Sequence, residues 1–242
     1  GLNDKIACPV ISGTGIFTGS VDPGLFRLEP KDGRKVWHLR SSSYFTTAPV
    51  VTGKCVVACD DRGTVWCVWS DSGTKSWSQP TGSLVPAPPA VADGIIYVGT
   101  EDGDLIAYGK ADGKERRRVR LKGRISIPPL PHGDLLLVAA EGGMLYALER
   151  DTLEPRWTWP IDGRCGAPIV VYGDLAYLTI SDGRLQRFDL STGKKDEHSF
   201  RAECNLKGAP LVRQDGVYLG GADGRFYVLA RRSLKVRWSF DL

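Results

Sequence analysis

The stretch that decides the fold runs from Ala209 to Phe240: Ala209-Pro210, a short apolar run, Asp215-Gly216, Val217-Tyr218-Leu219-Gly220, Asp223-Gly224, Phe226-Tyr227-Val228-Leu229, then Val236-Arg237-Trp238-Ser239-Phe240. It reads as four short strands punctuated by glycine turns. The same unit recurs six times through 242 residues. The glycine of its second turn falls at Gly24, Gly63, Gly103, Gly143, Gly183 and Gly224, in steps of 39, 40, 40, 40 and 41. The glycine before the last strand falls at Gly33, Gly73, Gly113 and Gly193, with Leu153 and Leu234 in the other two slots. A tryptophan marks the last strand at Trp37, Trp77, Trp157 and Trp238, but Arg117 and Glu197 replace it twice.

Each unit opens on an apolar segment after proline, as in Pro49-Val50-Val51 and Pro168-Ile169-Val170-Val171. Short runs without alternation predict a strand buried on both faces (strand A). Strands B, C and D follow in the same hairpin order. Four-stranded units repeating at this length pack radially, because a lone sheet cannot bury both of its faces. The expectation is an all-β, six-bladed β-propeller with four-stranded antiparallel blades and a ~40-residue repeat. Residues 1–242 would form a single propeller, with blades at approximately 7–40, 47–80, 87–120, 127–160, 166–201 and 208–242. The strand-D tryptophan would wedge between blades, and blades three and five would have weaker outer seams without it. Asn3 to Ile6 would be free to add to a neighbouring edge.

Composition is ordinary for a globular chain, with 42% apolar and 25% charged residues. The longest apolar run, Leu135 to Ala140, is far too short to span a membrane. A net charge of +4 does not demand nucleic acid. The six cysteines, Cys8, Cys55, Cys59, Cys67, Cys165 and Cys204, match no zinc spacing and read as small core residues. His38, His132 and His198 are the only histidines, and no Ser-His-Asp or HExxH pattern accompanies them. No catalytic residue, metal ligand or cofactor is therefore expected.

The loops are more informative. The B–C turns and D-to-A connectors should emerge on one face of the scaffold, where binding residues concentrate. Stepping by the period gives equivalent connector positions at Tyr44, Leu84, Arg124, Arg164 and, roughly, Cys204 or Asn205. Tyr44, Phe45, Leu84, Arg124 and Arg164 form the candidate surface for a protein partner or a small anionic ligand. The turn acids Asp22, Asp61, Asp102, Glu141, Asp182 and Asp223 lie on the same face, too far apart for one calcium site. A second candidate is a basic edge on blade three, with Arg116, Arg118, Arg120 and Lys122 on one side of strand D. Its bland reading is protection against edge-to-edge pairing. Blade six carries a weaker echo in Arg231, Arg232, Lys235 and Arg237. No aromatic residues interleave with the blade-three bases, so nucleic acid is not expected. Trp66 and Trp69 should point to opposite faces of strand C in blade two.

Leu145-Tyr146-Ala147-Leu148-Glu149 with Trp157, Phe188-Asp189-Leu190-Ser191-Thr192-Gly193-Lys194, and Ala48-Pro49-Val50-Val51 resemble the pyrroloquinoline-quinone-like (quinoprotein-type) propeller repeat. The resemblance spans essentially the whole chain. That family includes quinone-dependent alcohol dehydrogenases, BamB-type outer-membrane assembly lipoproteins and propellers attached to bacterial Ser/Thr kinases. The enzymes are longer and eight-bladed, and many carry adjacent cysteines that this chain lacks. The resemblance implies a non-catalytic binding, scaffold or sensor propeller, with a quinone- or sugar-processing enzyme as the alternative. It leans towards an extracytoplasmic or membrane-tethered setting, with membrane contact only through a flanking segment or the basic edge. The isolated domain is expected to be a monomer.

Overall fold

The computed structural model describes residues 8–13, 15–19, 23–161, 163–206 and 208–241. Among them there are six four-stranded antiparallel sheets, each a meander of sequential strands, and no helix. Blade one holds β1 (Val10–Ser12), β2 (Gly15–Gly19), β3 (Gly24–Leu28) and β4 (Lys35–Arg40). Blade two holds β5 (Val50–Thr52), β6 (Cys55–Cys59), β7 (Thr64–Trp69) and β8 (Lys75–Pro80). Blade three holds β9 (Ala90–Ala92), β10 (Ile95–Gly99), β11 (Asp104–Gly109) and β12 (Glu115–Arg120). Blade four holds β13 (Leu130–His132), β14 (Leu135–Ala140), β15 (Met144–Glu149) and β16 (Pro155–Pro160). Blade five holds β17 (Val170–Tyr172), β18 (Leu175–Thr179), β19 (Arg184–Asp189) and β20 (Phe200–Arg201). Blade six holds β21 (Leu211–Val212), β22 (Val217–Gly220), β23 (Arg225–Leu229) and β24 (Val236–Asp241). This is the fold class of a six-bladed β-propeller. The chain forms two compact units, Gly1–Pro131 and His132–Leu242. Asn3 to Ile6 and Asp22 lie outside the described residues.

Within each unit the core lies between successive blades, and strand alternation divides it. On β6, Val56 and Ala58 join Phe17, Leu25 and Phe45 on the blade-one side. Cys55, Val57 and Cys59 join Val98, Ile106 and Tyr108 on the blade-three side. One strand thus serves two cores, which is why it carries no polar residue and is buried throughout. The cysteines are free thiols acting as core residues here, and Cys8 is exposed. Burial pushes the Cys67 thiol up to about 12, reinforced by Cys55 beside it.

The sequence expectation placed the doubly buried strand first in each blade, and the structure corrects it. The first strands β5, β9 and β17 are only three residues long and half-buried throughout. The second strands β6 and β14 are buried at every position. The reason is position: a second strand has hydrogen-bonded neighbours on both sides, while a first strand is a sheet edge.

Three of the four strand-D tryptophans dock on the next blade as expected, and by one rule. Trp37 Nε1 donates to the Ser70 carbonyl at 3.0 Å, Trp77 to Lys110 at 2.8 Å, and Trp157 to Leu190 at 2.9 Å. Each indole lies on a glycine of the next blade's C–D turn. A Cβ added at Gly113 would come within 2.5 Å of Trp77, and one at Gly73 within 2.6 Å of Trp37. These glycines also have positive φ, +67° and +71°. Where the preceding blade lacks the tryptophan, leucine takes the slot. Leu153 and Leu234 adopt the same left-handed backbone at φ 60° and 52°, and both side chains are buried. Trp238 packs within its own blade, tilted on Phe226 at 6.1 Å.

Of the two blades without the tryptophan, blade five seals its seam with blade six by other means. In blade five the last strand shrinks to two residues, Phe200–Arg201. Arg187, 3% exposed, reaches across to blade six instead. It donates to the carbonyls of Arg231 and Arg232 and pairs with Asp196 Oδ2 at 2.9 Å. Its guanidinium lies 5.9 Å from the Tyr177 ring. Arg27 occupies the same repeat position in blade one, over Phe17, and donates to Ser70 O at 3.2 Å. Blade three keeps a six-residue β12, held by ion pairs.

Candidate functional site

The loop face is built by one repeated contact between a connector and the next blade's B–C turn. In the first unit, Asp61 N donates to Tyr44 O at 2.8 Å and Glu101 N donates to Leu84 O at 2.8 Å. In the second, Ser181 N donates to Arg164 O at 2.9 Å and Ala222 N donates to Asn205 O at 3.0 Å. The acceptors are the connector positions found by stepping through the sequence. Their backbones are tied down, so their side chains project outward from a fixed frame. The residue after three of them is turned inward: Phe45, Val85 and Leu206 are buried, while Cys165 after Arg164 is half-buried.

This alternation sorts the candidate residues. Tyr44 is 38% exposed and Leu84 46%. Phe45 is 1% exposed and packs edge-on against Trp66 at 5.9 Å. Phe45 therefore supports the loop from the core and is not available to touch a partner. The signal was legible, because neighbouring residues in an extended connector face opposite ways.

Leu84 and Arg124 line one cleft of about 260 Å³ in the first unit, with Asp61, Pro86 and Glu101. Tyr44 is anchored at its rim, its N–H donating to Asp61 Oδ1 at 3.0 Å. The Arg124 guanidinium meets Glu101 Oε1 at 3.1 Å. Asp60 at the cleft floor is fully used, accepting from Arg62 N, Thr64 N and Trp66 Nε1 at 3.0, 2.8 and 2.9 Å. In the second unit Arg164 repeats the Arg124 arrangement, pairing with Glu141 Oε1 at 2.8 Å. Each connector arginine thus reaches back to the turn acid of its own blade. Exposed pairs of this kind contribute about 1 kcal/mol or less, so an incoming group can rearrange them at little cost.

The blade-three arginines are engaged rather than splayed. Arg116 pairs with Asp112 at 2.9 Å, Arg118 with Glu115 and Asp104 at 2.7 and 3.0 Å, and Arg120 with Asp104 at 2.8 Å. Arg118 also donates to Thr81 O of blade two at 3.2 Å. Lys122, two residues beyond Arg120, likewise has an interaction partner. A bulge at Arg116 interrupts the strand alternation by which the sequence placed these bases on one side, and the alternation did not reveal the acids interleaved with them. Other turn acids are satisfied locally. Asp182 accepts from Arg184, and Asp223 accepts from Arg225 N and Tyr227 OH. His38 stacks on Phe26 at 4.0 Å, and His198 Nδ1 lies 2.9 Å from Asp196. Of the two blade-two tryptophans, Trp66 is half-buried and Trp69 exposed. Among the described residues no three His, Cys, Asp or Glu side chains converge to hold a metal ion.

Comparison with known proteins places these blades. A family model described as outer membrane protein assembly factor BamB matches residues 2–116, 71–199 and 126–242. Curated relatives of the same name include one from Burkholderia pseudomallei, 26% identical over 123 residues, or 49% of this chain and 32% of that protein. One from Xanthomonas campestris is 32% identical over 149 residues, or 44% of this chain and 36% of that protein. The matched region thus spans about a third of the length of these relatives. Among solved structures, BamB from Moraxella catarrhalis superposes with a TM-score of 0.80 at 19% identity, covering 95% of this chain and 71% of that one. The computationally designed Ika8 protein superposes at 0.83 with 16% identity, covering 93% and 70%. These two likenesses speak to the fold, and the family model, matched end to end, speaks to descent. The chain belongs to the PQQ-like β-propeller repeat family that is described as outer membrane protein assembly factor BamB.

Proposed function

We propose that this chain is a non-catalytic protein-binding scaffold whose connector face receives a partner polypeptide. The observation that carries this reading is the pairing of exposed Tyr44 and Leu84 at equivalent positions on a hydrogen-bonded frame, beside the Arg124–Glu101 cleft. An aromatic and an aliphatic anchor flanked by an adjustable ion pair suit an interface with an apolar centre and a polar rim. Arg164 and Glu141 offer the second unit an equivalent polar contact. A partner polypeptide is favoured over a small anion because both arginines already face carboxylates. An envelope assembly setting is favoured over a kinase sensor because the curated relatives above are outer membrane protein assembly factors.

The test is co-purification from the envelope fraction of source cells, comparing wild type with a Tyr44→Ala, Leu84→Asp variant of matched melting temperature. Recovery of a specific partner should fall at least about tenfold, the effect of losing a hot-spot contact. An Arg116→Gln variant, altered on the C–D side of blade three, should recover it in full. Undiminished recovery by the double variant contradicts the reading. Turnover of an alcohol or sugar by protein reconstituted with quinone and calcium would replace it with the enzymatic alternative.

A further inference from the structure

Blade six carries a second polar cleft, at the end of the blade away from its B–C turn. It encloses about 420 Å³ between Gln214 of the A–B turn, Ala230, Arg231 and Arg232 of the C–D turn, and Arg237 of β24. Three guanidiniums share this space and no carboxylate lines it. Their partners are carbonyls and a ring: Arg231 Nε donates to Gln214 O at 3.4 Å and lies 5.0 Å from the Tyr172 ring, and Arg237 Nη1 donates to Asp215 O at 2.5 Å. The nearby Asp215 carboxylate accepts from the Tyr218 hydroxyl at 2.6 Å and feels the charge of Arg237 without lining the cleft. Among the described residues, none of the three arginines forms an ion pair. This sets them apart from Arg116, Arg118, Arg120, Arg124, Arg156, Arg164, Arg184, Arg187 and Arg225, each of which does.

The cleft is also held in shape. Arg187, buried in blade five, donates to the carbonyls of Arg231 and Arg232 and so fixes the backbone from which two of the three guanidiniums project. Fixing the turn from beneath lowers the entropy lost when those side chains close on a ligand.

We propose that this cleft is an anion site for a phosphoryl group carrying two or more negative charges. Three cations share the cleft with one carboxylate, Asp215, beside it, so the cleft keeps a net positive charge that an anion relieves. A single carboxylate offers two oxygens and one charge. A phosphate monoester or diphosphate offers at least three acceptor oxygens and charge enough for several guanidinium forks. The cleft lies wholly in the second unit, so it stands or falls independently of the partner face around Leu84.

The test is calorimetric titration of the chain with inorganic pyrophosphate at low salt, alongside co-sedimentation with vesicles of phosphatidylcholine containing phosphatidic acid. Wild type should bind pyrophosphate saturably. An Arg232→Gln, Arg237→Gln variant, changed at two exposed side chains, should bind at least about tenfold more weakly with an unchanged melting temperature, since two charge-assisted contacts are lost. An Arg116→Gln, Arg120→Gln control, removing the same charge elsewhere, should bind like wild type. Co-sedimentation that is lost in the cleft variant assigns the phosphoryl group to a lipid headgroup, and pyrophosphate binding without co-sedimentation assigns it to a soluble ligand. Failure of wild type to bind either probe, or equal loss in the control variant, overturns the proposal.

Discussion

Arg187 is a cation buried where a tryptophan would otherwise seal the seam, and its surroundings show what that costs. Its charge is balanced by Asp196 at 2.9 Å and by two carbonyls of the next blade. Burial pushes the Asp196 carboxyl up, but the His198 backbone N–H, the His198 ring and the Arg187 guanidinium outweigh it and hold the group below the usual carboxylate range. Removing Asp196 strands a buried charge, so Asp196→Ala should destabilise the fold by about 3 kcal/mol in urea unfolding. The pH dependence has a definite sign. A carboxyl whose folded pKa is depressed contributes stability above its unfolded value, about pH 4, and that contribution is lost as pH falls through the folded value. Asp196→Asn should therefore be less stable than wild type at pH 7 and show a flatter acid limb below about pH 4, read from melting temperature against pH. The thiols give a second residue-scale prediction. Burial pushes the Cys59 and Cys67 thiols up, and Cys165 is pushed up to about 12 by the same cause. Thiolate attack requires both ionisation and access. At neutral pH a maleimide should label Cys8 within minutes and leave Cys55, Cys59 and Cys67 unlabelled until the protein is denatured, as peptide mapping would show.

At the scale of the element, the unit of stability is the seat that one blade offers the next. Trp77 on Gly113 is the best-buried example. Trp77→Ala should cost about 3–5 kcal/mol, as large-to-small core changes do. Gly113→Leu should be severely destabilising in the wild type, because its side chain would occupy the indole's place. In the Trp77→Ala background the same leucine should recover part of the loss, because Leu153 and Leu234 already fill that slot where no tryptophan precedes them. A double-mutant cycle by chemical denaturation measures this, and a coupling within about 0.5 kcal/mol of zero would show that the two positions are independent. The exchange of glycine for leucine was present in the repeat alignment, next to the exchange of tryptophan for arginine or glutamate. Its meaning lies in the contact between the indole and the glycine, which the repeat period does not carry. Strand order, turn positions and the period were legible because glycine, proline and aspartate act locally on the backbone. The burial of β6 in place of β5 was not legible, since both are short apolar runs and only their neighbours in the sheet distinguish them.

For the molecule as a whole, repetition does two things. It makes neighbouring blades the source of stability, as in other repeat proteins. It also presents equivalent connector positions whose side chains differ from blade to blade. The exposed positions recur about every forty residues, because the frame of hydrogen bonds from Asp61, Glu101, Ser181 and Ala222 recurs with them. What counting did not reveal was charge balance. The Arg124–Glu101, Arg164–Glu141 and blade-three pairs join residues 23 or fewer positions apart, yet the sequence alone does not say which acids fall within reach. The same limit hid the contrast that marks blade six, where no carboxylate lines the cleft of Arg231, Arg232 and Arg237. A face defined by an apolar centre and exchangeable ion pairs should bind with modest salt dependence. Raising the salt from 50 to 500 mM should weaken partner binding by less than about tenfold, since the Leu84 and Tyr44 contacts are not screened.

The most direct measurement is site-specific photo-crosslinking in source cells, with a photoreactive residue placed in turn at positions 44, 84, 116 and 237. The account predicts one protein adduct, shared by positions 44 and 84 and missing from position 116. Equal capture at all four positions, or capture at 116 but not at 44 and 84, would contradict a partner-binding face built on the connectors.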